Sequence, residues 1–128
     1  MGYKNLMTAH AVIAIPMGLA CAGAPAELLA SYGVSLPPMG LVIYQFWGVS
    51  LLGLGVLTWI IRASPEARIR ERSSVALAAI HLMNCVLALR GQSAGANDFG
   101  WSTVALFLLL SLAFVYVRSI SLPRERAR

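Results

Sequence analysis

Residues 38–61 read PMGLVIYQFWGVSLLGLGVLTWII, and Arg62 follows at once. These 24 residues contain no charged side chain. A helix of that length rises about 36 Å, more than the roughly 30 Å of a bilayer's hydrocarbon core. The stretch lacks the strict apolar–polar alternation of a barrel strand, and backbone in lipid must bond internally. It therefore predicts a membrane-spanning helix, with Trp59 and Arg62 as interfacial anchors at its end.

Three further apolar runs flank it, at residues 6–23, 75–89 and 101–117. Together the four predict spans at about 5–23, 38–61, 73–90 and 101–118. The chain has 128 residues, of which 59% are hydrophobic and only 12% charged. A soluble domain carries about 25% charged residues. The expected fold is all-α: a polytopic membrane four-helix bundle forming one domain over residues 1–128.

The first run follows Lys4 and ends in Ala20-Cys21-Ala22, which has something of a signal peptide. Gly18-Leu19-Ala20-Cys21 faintly echoes a lipoprotein cleavage box, but Gly18 stands where leucine is usual. The run is read as the first membrane helix, kinked at Pro16 by the lost backbone donor. Pro25 and Glu27 then signal a helix start. A short interfacial helix is expected there, ending near Tyr32 and capped by Gly33. Residues 66–72 are charged and read as a solvated turn facing lipid head groups. Residues 91–100 form a polar, glycine-rich loop.

Of ten basic residues, Lys4, Arg62, Arg68, Arg70, Arg72, Arg118, Arg124, Arg126 and Arg128 fall on one side of this topology. Only Arg90 falls on the other. The positive-inside rule then places both termini in the cytoplasm. The net charge of +5 is explained by the same bias, so anionic lipids are the expected partner and nucleic acid is not.

Helices in lipid associate through small residues. Span one carries Ala14-x-x-x-Gly18-x-x-x-Ala22, and span two places Gly48 and Gly55 on one face. Span three carries a stripe of Ser74, Ala78, His81, Cys85 and Ala88. Spans one, two and three are expected in close contact. Span four, rich in leucine with Phe107 and Phe114, is expected to face lipid or a partner. Cys21 and Cys85 lie in apolar runs and read as packing groups.

Polar groups inside a membrane are candidate functional residues. Here they are His10, Gln45, His81 and Asn84. His10 and His81 fall at similar depth on parallel spans. They read either as a two-histidine site for haem iron or another metal, or as neutral histidines bonded to carbonyls and neighbouring side chains. Asn84 lies one turn from His81 and is expected to bond across helices. Gln45, beside Tyr44, Phe46 and Trp47, marks either an interfacial belt or a slot for a lipid or quinone. Glu27 and Arg90 lie near the same surface, close enough for a salt bridge that exposure would hold to about 0–1 kcal/mol.

No carboxylate lies within a span, and no nucleophile–base grouping, zinc-protease motif or phosphate loop is present. An enzyme is not expected, and neither is a tightly bound cofactor. The leading expectation is a non-catalytic accessory subunit of a larger membrane complex, with a respiratory or photosynthetic assembly as one setting. The alternative is a standalone binder or transporter of a lipid, quinone or other apolar solute. A weaker one is the bis-histidine haem or metal protein.

Ala26-Glu27-Leu28-Leu29, Tyr32-Gly33-Val34, Leu52-Gly53-Leu54-Gly55, Trp59, Arg62, Gly91-Gln92 and Gly100-Trp101 together give the chain its family character. In these residues it resembles small bacterial four-helix membrane proteins of the DoxX-like families. The resemblance implies a bacterial inner-membrane location and a helical bundle. It assigns no reaction and no active-site residue.

Overall fold

A computed structural model of the chain describes residues 2–123. Among these residues the ordered elements are all helical. They are α1 (Tyr3–Gly23), α2 (Pro25–Ser31), α3 (Pro38–Ile61), α4 (Ala67–Ser93) and α5 (Gly100–Tyr116), the last continued by a π-helical turn, Val117–Ser121. Four are long and apolar enough to cross a membrane: α1, α3, α4, and α5 with its continuation to Ile120. The basic tail residues Arg124, Arg126 and Arg128 lie outside the described residues.

The chain packs as two antiparallel helix pairs, α1 with α3 and α4 with α5. Backbone approach is close within each pair and sparse between them. Small residues explain the first pair. A Cβ on Gly18 would stand 2.5 Å from the Leu52 amide nitrogen, and one on Gly48 would stand 2.7 Å from that of Ala22. A Cβ on Gly55 would meet Ala14 and Ile15 at about 3 Å. The Ala14–Gly18–Ala22 stripe of α1 thus lies directly on the Gly48–Gly55 face of α3. In the second pair, Ser111 of α5 donates to the Ala78 carbonyl at 3.0 Å, and the Cys85 thiol meets the Val104 carbonyl at 3.7 Å.

The pairs join at the end carrying most of the basic residues. Tyr3, Leu6 and Met7 of α1 pack there with Leu77 and Ala78 of α4 and with Phe114, Val117 and Leu122. The Tyr3 hydroxyl lies 3.0 Å from Ser73 Oγ. Arg118 and Glu71 form an ion pair at 3.5 Å with both side chains over 40% exposed, a contact worth about 0–1 kcal/mol.

At the opposite end α2 covers the bundle. Pro25 opens it, and Glu27 in its first turn complements the helix dipole. Gly33 has a φ of +71°, a conformation glycine adopts without strain. The turn lets the Val34 amide donate to the Leu29 carbonyl at 3.1 Å. Asn97, in the α4–α5 loop, ties α2 down: its Nδ2 donates to the Ser31 carbonyl at 3.0 Å and its amide to the Tyr32 carbonyl at 3.1 Å. No ion pair joins Glu27 to Arg90 among the described residues.

Three expectations about the elements are corrected. Residues 67–72 are not a solvated turn but the first turns of α4. Alanine, arginine and glutamate are strong helix formers, and the hydroxyls of Ser73 and Ser74 bond back to the Ile69 and Arg70 carbonyls, both at 2.7 Å. Helix α1 includes Pro16, which is exposed on its outer face, as the reading of residues 5–23 as one span requires. The fourth helical run passes residue 118 through the π-turn. Finally, α4 makes its close backbone approach to α5 and meets α1 through side chains alone, so spans one, two and three do not form the tight trio expected. The inner face of α5 is buried, with Phe114 at 0% exposure, while Leu108, Leu109 and Leu112 face outward.

Candidate functional site

The site lies on the seam between the two helix pairs, above the core that joins them. His10 of α1 and His81 of α4 meet there with ring centroids 5.0 Å apart and planes tilted by 60°. Their exposures are 1% and 3%. Their matched depth follows from parallel helices starting at the same end of the bundle.

The two rings are held differently. The Thr58 hydroxyl donates to the Gly55 carbonyl at 2.9 Å. Its only proton is thereby used, so at 3.1 Å it accepts the proton of His10 Nδ1. A neutral imidazole carries one proton, so His10 Nε2 keeps a bare lone pair. His81 is held by its faces, stacked against Phe107 and Phe114 with each centroid 5.9 Å away. Neither of its ring nitrogens has a hydrogen-bond partner among the described residues. An unsatisfied buried polar group costs about 1–3 kcal/mol.

Both histidines line a narrow cavity of about 50 Å³ whose other walls are mostly apolar, among them Met17, Leu51 and Leu110. Tyr32, Tyr44, Trp47, Thr103 and Phe107 line this cavity and also a second, wider pocket of about 350 Å³. The two form one cleft, widening from the histidines toward α2. The Tyr32 hydroxyl lies 3.0 Å from Thr103 Oγ1, and its ring meets Phe99 edge-on at 5.1 Å. Tyr44 and Trp47 pack together on α3 with centroids 5.4 Å apart and planes tilted by 40°. A volume of several hundred cubic ångströms with few polar groups is the usual character of a small-molecule site.

Asn84 lines the wider pocket and has no hydrogen-bond partner among the described residues. The expected interhelical bond is therefore replaced by an amide facing the cleft. Gln45 does not line the cleft. Its Nε2 donates to the Ala22 carbonyl at 2.9 Å, satisfying a carbonyl at the open end of α1. Its aromatic neighbours divide, with Tyr44 and Trp47 on the cleft and Phe46 69% exposed on the outside. Thr58 and Thr103 escaped notice in the sequence, and Tyr32 stands out there only as a helix end and part of the family resemblance. The spacing of Thr58 from Gly55 and Gly48 along one face of α3 is the signal that would have found the first.

Cys21 and Cys85 are free, buried thiols. Among the described residues no group of three or more metal-ligating side chains forms. The histidine geometry also fails for haem. Iron held between two imidazoles needs two bonds of about 2 Å plus part of each ring, and 5.0 Å between centroids leaves no space for a porphyrin plane. No family model, curated protein or solved structure matches the chain.

Proposed function

We propose that the protein binds an apolar small molecule with a hydrogen-bonding head group, such as a quinone or a lipid-like solute. The head group reaches the histidine pair and the body lies between Trp47 and Phe107. The observation that carries this reading is His81: a buried imidazole, unpartnered at both nitrogens, at the narrow end of an apolar cleft. A carbonyl or hydroxyl there gains a donor and an acceptor from His81 and faces the bare nitrogen of His10. Trp47 supplies the assay. In nanodiscs, short-chain quinones should quench its fluorescence saturably, and extraction should release a bound apolar compound detectable by mass spectrometry. Linear, non-saturating quenching that is identical in His81→Leu would sink the reading.

The nine-to-one basic bias further supports a bacterial inner-membrane protein with cytoplasmic termini, which cysteine-labelling of residues 4 and 96 from each side would check. The accessory-subunit role rests on the short loops and absent catalytic groups. Co-purification at native expression tests it, and a partner-free monomer would count against it.

A further inference from the structure

We propose that the narrow end of the cleft selects a head group that is a hydroxyl, as in an alcohol, a phenol or a hydroquinone, over one that is a carbonyl, as in a quinone. This rests on the cleft being a small-molecule site, as proposed above, and concerns which polar atom it takes. The hydrogen-bond inventory of the two rings carries it. His10 spends its one proton on Thr58 Oγ1 at 3.1 Å, because the threonine proton is committed to the Gly55 carbonyl. Its Nε2 is therefore an acceptor. As a neutral imidazole His81 holds one N–H and one lone pair, and neither nitrogen has a partner among the described residues. The pair thus offers one donor and two acceptors.

A carbonyl oxygen can only accept. It takes the His81 proton and leaves both acceptors bare, with its own lone pairs turned toward His10 Nε2. A hydroxyl accepts from His81 and donates to His10 Nε2, so only one acceptor stays unsatisfied. Ring centroids 5.0 Å apart are close enough for one oxygen to hold a bond of about 2.8 Å to each ring. The aliphatic walls Ile13, Leu51, Leu106 and Leu110 offer a carbonyl no other donor. The narrow cavity measures about 50 Å³, against roughly 10–15 Å³ for one water. It admits a hydroxyl and the few atoms beside it, not a sugar or a phosphate. The rest of the molecule runs into the wider pocket of about 350 Å³, past Trp47 and Phe107.

Isothermal titration calorimetry of the full chain in nanodiscs, with empty nanodiscs subtracted, tests this with three ring-matched probes. They are a short-chain hydroquinone kept reduced without oxygen, the corresponding quinone, and the dimethyl ether of the hydroquinone. The hydroquinone should bind about tenfold tighter than either of the others, for one bond gained and one acceptor satisfied. Thr58→Val should shrink that ratio to about twofold, because His10 can then carry its proton on Nε2 and donate to a carbonyl. Saturable binding in which the quinone equals or exceeds the hydroquinone overturns the hydroxyl preference and leaves the cleft a ligand site. Saturable binding by none of the three overturns the ligand site and the preference with it. A preference that survives intact in folded Thr58→Val also overturns the proposal, since the selection would not come from His10. The wild-type comparison needs no variant, so a substitution that fails to fold leaves the test intact.

Discussion

Thr58 fixes the proton of His10. The threonine hydroxyl is committed to the Gly55 carbonyl, so the imidazole must donate through Nδ1 and present Nε2 bare. A backbone carbonyl on α3 thereby sets the tautomer of a ring on α1, and through it the kind of atom the cleft can recognise. Thr58→Val removes the acceptor while keeping the volume. The expected loss of stability is about 1–3 kcal/mol, since a buried N–H is left unpaired. Nitrogen chemical shifts of the two His10 ring positions should move from one tautomer toward a mixture. Unchanged shifts would show that Thr58 does not set the proton.

His81 leads to an opposite sign. Replacing it with leucine removes two unpartnered nitrogens from an apolar wall. The ligand-free protein should hold its stability or gain about 1 kcal/mol. Ligand affinity should fall about tenfold, the loss of one good hydrogen bond. Thermal unfolding and Trp47 quenching on the same preparation measure both. A variant that is less stable and binds equally well would make His81 a packing residue.

At the crossing of α1 and α3, Gly18→Ala should destabilise the bundle by about 1–3 kcal/mol. The added carbon would meet backbone atoms of Leu52 and Gly48 at 2.5–2.8 Å, and backbone cannot turn aside as a side chain can. Gly53→Ala, on α3, meets nothing within 4 Å and should stabilise by about 0.5–1 kcal/mol. Comparing thermal midpoints of the two variants separates close packing from the general preference of a helix for alanine.

Asn97 holds the α2 end of the cleft. Asn97→Ala removes its bond to the Ser31 carbonyl and the one its Oδ1 accepts from the Phe99 amide at 3.1 Å. Faster amide exchange is expected across residues 25–34, with exchange in the centre of α3 unchanged. Ligand association and dissociation should both accelerate. Exchange rising equally in α3 would mean the bundle, not the cover, had loosened.

The sequence makes the spans legible because hydropathy and length decide them, and it makes the depth of His10 and His81 legible because rise per residue is fixed. It conceals the partner of each helix. Small residues on α4 announce a close approach, but the backbone they bring close is that of α5, through Ser111 and Val104, while α1 is met by side chains. The cleft exists only because of that pairing, so no single span encodes it. The start of α4 was hidden for another reason: Arg68, Arg70 and Arg72 read as a solvated turn by charge, while helix propensity favours the opposite. Asn84 and Gln45 show that polarity marks a residue of interest without saying which one fills a bonding gap and which one faces open space.

Residues 62–66 are the sole covalent link between the α1–α3 pair and the α4–α5 pair. Each pair is locked internally, one through glycine contacts and the other through Ser111 and Cys85. Mechanical compliance is therefore concentrated at the seam, with the fulcrum at the basic end. On the binding reading proposed above, a molecule between Trp47 and Phe107 would act as a spacer on a lever. Its size would be converted into strain on the Asn97 and Tyr32 bonds that close the α2 side.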